Sequence, residues 1–336
     1  MVLKWVQIGI DIWTVIVGLL ITFSTALIVV FERNSMTPGV AGFILVYSVD
    51  VINSISWALR MASDLETNMV SVERVREYSE LETERSWHSV DEYKPSADWP
   101  TNGSVDFINY SASYRPGLEP VVKGLNLRIE SGEKVGIVGR TGAGKSSMTL
   151  ALFRIIEPTF GQIIIDGVDV TRIGLHDLRS KLTIIPQEPN LFAGTLRLNL
   201  DPFEEYSDQQ LWTALERAHL KDFICGTSEG LSHEISESGD NLSAGQRQLV
   251  CLARALLRDT KILVLDEATA ACDLQTDSLI QTTIAEQFSD CTVLTIAHRL
   301  NTVLDYNKII VLDNGMIVEM DSPKKLLKKL ILFSIV

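Results

Sequence analysis

Residues 139–146 read Gly-Arg-Thr-Gly-Ala-Gly-Lys-Ser, a full match to the phosphate-binding pattern G-x-x-x-x-G-K-[ST]. This segment constrains the fold more than any other, because it works only between a strand and a helix. The apolar run Lys134 to Val138 supplies the strand, and a helix is expected to start near Lys145. Gly139, Gly142 and Gly144, with Thr141 and Ala143 between them, let backbone N–H groups turn inward around phosphate oxygens. The helix N-terminus adds partial positive charge on the same side. Lys145 is placed for the terminal phosphates, Ser146 for Mg²⁺, and Ser147 next to them is expected among the nucleotide-binding residues.

A second apolar run, Ile262-Leu-Val-Leu, ends in Asp266-Glu267 and reads as a buried parallel strand. In an α/β sheet the C-terminal strand ends form the ligand crevice. Asp266 therefore falls beside the phosphate loop, where it can hold Mg²⁺ directly or through water, and Glu267 is placed to polarise an attacking water. Upstream, Leu242-Ser243-Ala244-Gly245-Gln246 opens a helical run to Leu257 with no breaker. Ser243 is a good N-cap, and Gly245 lets a phosphate approach the backbone. Two anion-binding helix starts on one domain suggest that one serves the domain's own ATP and the other a partner's.

The pentapeptide 242–246, shortly before the Asp-Glu strand, closely resembles the signature of ABC (ATP-binding cassette) proteins, with Ala244 where most carry Gly. The resemblance implies roles for further residues. Gln187, after the strand Leu182 to Ile185, corresponds to the loop glutamine that senses Mg²⁺ and the attacking water. His298, closing the strand Thr292 to Ile296, corresponds to the switch histidine at the γ-phosphate. Ala270-Ala271-Cys272-Asp273 resembles the loop that touches the opposite nucleotide site. Tyr114 resembles the aromatic that stacks on adenine, with Tyr110 four residues away as the competing tyrosine. Segments 133–147, 173–179, 199–203 and 266–271 narrow the resemblance to the second nucleotide-binding domain of subfamily C, the multidrug-resistance-associated proteins. Cys272 departs from the aliphatic residue common there, a near-neutral change because a free Cys packs as a small hydrophobe.

The N-terminus is of a different character. Ile12 to Phe31 contains no charged residue, a length that suits a membrane-spanning helix. It is too long for a signal peptide, lacks a small-residue cleavage site, and precedes a second apolar stretch, Val40 to Leu59, broken only by Asp50. Asp50 either helps line a substrate path or is a buried, hydrogen-bonded residue. No Gly or Pro occurs from Phe43 to Glu80, and such a helix would reach roughly 55 Å, well past the ~30 Å hydrocarbon core. Leu65, Met69, Val72 and Val75 carry an apolar stripe onward, as expected of a helix leaving the bilayer toward the nucleotide domain.

The expected organisation is an α/β P-loop NTPase, an ABC cassette with a helical signature subdomain from about Pro189 to Leu257, preceded by a transmembrane helical hairpin. Residues 1–80 form the hairpin and its cytosolic extension, 81–101 a polar linker with Pro95 and Pro100, and 102–336 the nucleotide-binding domain. The net charge of −13 argues against nucleic acid as a partner. Cys225, Cys251, Cys272 and Cys291 show no C-x-x-C spacing and read as reduced cytosolic thiols.

The resemblance implies ATP and Mg²⁺ as cofactors, and ATP hydrolysis driving export of amphipathic or conjugated anionic substrates. It also implies an integral membrane protein of the plasma or vacuolar membrane with its cassette in the cytosol. The partners implied are the lipid bilayer, a second nucleotide-binding domain and the remaining transmembrane domains. Three rivals stand beside it: an ATP-gated channel or channel regulator of the same subfamily, a soluble ABC ATPase, and a truncated chain inactive without a partner half. The hairpin and the acidity count against the soluble ATPase.

Overall fold

The computed structural model describes residues 2–32, 34–227, 229–267, 273–297 and 300–328. His298 and Ala270 to Cys272 lie outside the described residues. In chain order the helices and strands are α1 (Val2–Phe31), α2 (Pro38–Ser79), β1 (Val105–Ala112), β2 (Val122–Ile129), β3 (Lys134–Val138), α3 (Lys145–Leu152), β4 (Pro158–Ile165) and β5 (Val168–Asp169). Then come α4 (Leu175–Arg179), β6 (Leu182–Ile185), β7 (Gly194–Thr195), α5 (Leu196–Leu200), α6 (Asp208–Arg217), α7 (Lys221–Cys225), β8 (Glu234–Ile235) and α8 (Ala244–Leu257). The last are β9 (Ile262–Asp266), α9 (Leu274–Gln287), β10 (Thr292–Ile296), β11 (Lys308–Asp313), β12 (Met316–Asp321) and α10 (Pro323–Lys328). The chain divides into two compact units, Met1–Thr83 and Glu84–Val336.

The first unit is a helical hairpin. Both helices are long and apolar enough to cross a membrane, and the most apolar stretch, Ile12–Phe31, has a mean hydropathy of 2.5. Pro38 opens α2 at its first turn, where a missing N–H costs nothing. The helices pack closely at Gly18, where an added Cβ would stand 3.0 Å from the Ile52 side chain. Hydroxyls along them are satisfied within their own helix: Thr22 donates to the Gly18 carbonyl at 2.9 Å and Ser56 to that of Ile52 at 2.9 Å. This is the usual solution where no water is at hand. α2 runs unbroken for 42 residues, about 63 Å, and its polar continuation exposes Leu65, Met69, Val72 and Val75. Asp50 is exposed on the outside of the hairpin, so α1 and α2 alone do not bury it.

The second unit is built on a six-stranded sheet of order β12-β11-β3-β10-β9-β6. β6, β9, β10, β3 and β11 run parallel, and β12 closes one edge antiparallel. The inner strands are apolar on both faces, as a sheet covered on both sides requires: β9 and β10 are buried almost throughout. Alternation then divides the two cores. Val264 points into a core shared with β1, β2, β4 and α3, where Phe107, Leu125, Met148 and Ile163 are buried. Leu263 and Leu265 point the other way, into a core shared with α6, α8 and α9 that holds Leu211, Leu215, Leu252 and Ile280. A second sheet, β2-β1-β4-β5, covers the first core.

The segment expected to be a polar linker is, from Glu84 on, held against this unit. Leu175 N–H donates to the Ser86 carbonyl at 3.0 Å and His176 N–H to that of Trp87 at 2.9 Å. Asp177 accepts from the Ser89 N–H at 2.9 Å and from the Ser89 hydroxyl, Arg179 forks onto Glu84 at 3.1 Å, and Trp99 is buried with its indole N–H on the Ile165 carbonyl at 2.9 Å.

Candidate nucleotide site

Three parallel strands deliver the site. β3 ends in the glycine-rich loop, β9 in Asp266 and Glu267, and β6 in Pro186 and Gln187, all at the C-terminal edge of one sheet. The loop enters α3 through Gly144, whose φ of 101° is left-handed, and a Cβ there would stand 3.0 Å from the Val121 carbonyl oxygen. Lys145 is buried, and its ammonium donates to the carbonyls of Gly139 at 2.8 Å and Arg140 at 3.3 Å. The loop is thus closed around its own cation.

A cavity of about 700 Å³ opens over the loop. Tyr114, Thr141, Gly142, Gly144, Lys145, Ser146, Ser147, Gln187 and Glu267 all line it. Gly139 and Ala143 are not among the lining residues. The Gly139 carbonyl receives Lys145, and the Ala143 carbonyl accepts from Gly315 N–H at 3.0 Å. Gln187 donates its side-chain amide to the Glu267 carboxylate at 2.9 Å, and Glu267 itself has a left-handed φ of 50°. Such a conformation in a non-glycine residue costs free energy and tends to occur at functional positions. Asp266 sits one residue earlier at the end of β9, half-buried.

Tyr114 is the tyrosine at the cavity; its hydroxyl hydrogen-bonds Ser147 at 2.9 Å. Tyr110 is fully buried, packs edge-on against Phe107, and has its phenol pushed well up by burial, with the Glu157 carboxylate adding to the effect. Sequence reasoning missed one wall. Pro120, Val121 and Lys123 at the start of β2 and Asn314-Gly315 in the β11–β12 turn also line the cavity. The turn is tied to the phosphate loop through Gly315 N–H and to β2 through Lys123 N–H, which donates to the Gly315 carbonyl at 2.8 Å. Asp313-Asn314-Gly315 signals a hairpin turn in the sequence, but nothing local says which loop it meets.

Ser243, Gly245 and Gln246 are not among the residues lining this cavity. They form the start of α8. Ser243 caps the helix, accepting from Gln246 N–H at 3.1 Å, while its own N–H donates to the Gln246 side chain at 2.8 Å. Gly245 has a packing role beyond the one expected: a Cβ there would stand 3.1 Å from the Thr276 side chain on α9. Asp273 caps α9, and its carboxyl is held below the usual range by hydrogen bonds from the Thr276 hydroxyl and N–H.

The donors present fit a magnesium nucleotide. The Ser146 hydroxyl, the Asp266 carboxylate and the Gln187 amide oxygen are the hard oxygen ligands such a cation takes, with a phosphate loop alongside.

Comparison with known proteins agrees with this geometry. Residues 122–270 match the family described as ABC transporter. The chain is 57% identical over 327 residues to ATP-binding cassette sub-family C member 2 of Mus musculus, covering 97% of this chain and 21% of that protein. It is 57% identical over 324 residues to sub-family C member 3 of Homo sapiens, covering 96% of this chain and again 21% of the relative. The chain therefore spans about a fifth of the length of these curated relatives. Among solved structures, a bacterial Atm1-family ABC exporter with ATP bound superposes with a TM-score of 0.75 at 28% identity, covering 96% of this chain and 57% of that one.

Proposed function

The chain belongs to the ABC transporters, in the likeness of subfamily C, and from that premise we propose that its second unit binds ATP with Mg²⁺ and hydrolyses it to drive transport by the assembly it serves. The observation that carries this reading is the meeting of the phosphate loop and the Gln187–Glu267 pair in one cavity. Loop N–H groups and Lys145 neutralise phosphate charge in this reading, and Tyr114 packs on the base. Ser146, Asp266 and Gln187 would hold Mg²⁺, which supplies charge neutralisation across the phosphates. Glu267 orients the attacking water and takes up its proton, with Gln187 fixing the carboxylate. His298 is proposed at the γ-phosphate on the strength of the resemblance.

Ser243, Gly245 and Gln246 serve a nucleotide held by a second cassette, because their helix start stands apart from this cavity. The two membrane-length helices of the first unit support a bilayer location, and in this reading the cassette faces the cytosol, where ATP is. Export of amphipathic or conjugated anionic compounds is the transport reading that the subfamily likeness supports.

Photolabelling of the full chain by an azido-ATP analogue tests the binding step. Lys145→Ala should reduce labelling at least about tenfold, the loss expected when one charge-assisted phosphate contact goes. Undiminished labelling would remove the loop from the site.

A further inference from the structure

The buried polar residues of the cassette include one that the nucleotide chemistry leaves unused. Gln248 lies on α8 and is 2% exposed. Its side-chain amide donates to the Pro186 carbonyl at 3.1 Å. Pro186 directly precedes Gln187, whose own amide holds Glu267 at 2.9 Å. The β6–β9 ladder ends at Ile185, and Pro186 has no N–H to extend it. The chain bearing Gln187 therefore leaves the sheet with its first carbonyl fixed by a side chain from the helical subdomain.

The other end of this tether is informative. Gln248 stands five residues past Ser243 on the same helix, about 7.5 Å along its axis. The helix start is stiffened by the reciprocal Ser243–Gln246 cap and by the close contact of Gly245 with Thr276. A shift of that start cannot be absorbed between the cap and Gln248, because all of it is one hydrogen-bonded helix.

We propose that Gln248 is a positioning residue: through the Pro186 carbonyl it ties the signature helix to Gln187, so that engagement of the Ser243 end by nucleotide on a second cassette is felt at the Gln187–Glu267 pair of this one. The proposal rests on the two-cassette reading above and adds the mechanical link within one cassette. It makes Gln248 neither a ligand of nucleotide nor a proton carrier.

Two variants test it on the full chain in detergent. Gln248→Met keeps the volume and removes the donor, and Gln248→Asn keeps the amide but is one methylene too short to reach Pro186. Circular dichroism and thermal unfolding establish which of them fold. Hydrogen exchange is then followed at the amides of Leu182 to Ile185, which the β6–β9 ladder protects next to the tethered carbonyl. Loss of the Gln248–Pro186 hydrogen bond should raise exchange at this strand end about tenfold in either variant, with α3 unchanged. Unchanged exchange there in a folded variant overturns the tether.

With the complementary half added, Gln248→Met should lower kcat about tenfold and leave KM for ATP within about twofold. It should have no further effect in a Gln187→Ala background. A loss equal in both backgrounds overturns the route through Gln187. A wild type that labels with the ATP analogue yet never turns over would count against the two-cassette reading, and hydrogen exchange would still decide the tether.

Discussion

Glu267 and Asp166 are both acidic residues with left-handed backbones, at φ values of 50° and 44°, and the contrast between them separates a carboxylate proposed for catalysis from one that holds the fold. Glu267 faces the cavity and accepts from the Gln187 amide at 2.9 Å. Glu267→Gln keeps its shape and removes its charge, so nucleotide labelling should persist while turnover in the complete assembly falls by about 10²–10⁴-fold, the scale of a positioned base. Turnover equal to wild type would move the base elsewhere, with His298 next. Asp166 faces the fold. It accepts from the N–H groups of Asn102 at 2.7 Å, Gly103 at 2.9 Å and Ser104 at 2.8 Å, and from the Ser104 hydroxyl at 2.9 Å. Burial pushes its carboxyl up, but these donors outweigh it and leave the group below the usual carboxylate value. A carboxyl lowered in the folded state contributes stability above its unfolded pKa, and that stability is lost as pH falls through the folded value. Asp166→Ala should therefore cost about 2 kcal/mol at neutral pH, and its difference from wild type should shrink below about pH 4, followed by denaturant unfolding across that range. A difference independent of pH would place the loss in packing rather than in the ionised carboxylate.

At the scale of elements, the segment entering the second unit behaves as a docked strap. Its hold is concentrated at α4. Ser89 is bound to Asp177 through both its N–H and its hydroxyl, and this pair is the first cause of the lowered Asp177 carboxyl. Asp177→Ala should release residues 84 to 94 to limited proteolysis while the buried Trp99 keeps the remainder in place. Cleavage as slow as in the wild type would shift the hold to Arg179–Glu84. None of this docking was legible in the sequence, since Ser89 and Asp177 are 88 residues apart and nothing in the local pattern pairs them. The site-bearing elements were legible for the opposite reason. β3, β9 and β10 lie inside a parallel sheet and β6 at its edge, and each reads as a short, mostly apolar run that ends close to a motif residue. α8 was legible from its cap and unbroken helical spacing. Only the resemblance favoured Tyr114 over Tyr110, since the local pattern does not show that irregular pairing in β1 leaves Tyr110 buried. The β11–β12 turn was missed as a cavity wall because its contact with Ala143 joins segments with no shared periodicity.

In the two-cassette reading, the whole molecule holds one half of each of two sites. Its cavity is lined by the phosphate loop, the Gln187–Glu267 pair and Tyr114, and the start of α8 is not part of that lining. Its own second helix start, capped by Ser243, stands elsewhere with no phosphate loop of this chain against it. Charge developing on a transferred phosphoryl group is stabilised chiefly by donors fixed in advance. A cassette that lacks the facing donors should therefore bind nucleotide well and turn it over slowly. Nucleotide labelling should accordingly be independent of chain concentration. ATPase activity per chain should rise with concentration until cassettes are paired, or rise on adding the complementary half at fixed concentration. Removing one facing donor tests the same point from the other side. Ser243→Ala costs only about 1 kcal/mol of helix capping, so the cassette stays folded. Mixed one to one with Glu267→Gln, it can complete only one kind of site: one in which its own Glu267 meets the intact Ser243 of the other chain. That mixture should recover turnover that neither variant has alone. Equal activity per chain at all concentrations, or a mixture no more active than the sum of its parts, would make this cassette a self-contained ATPase.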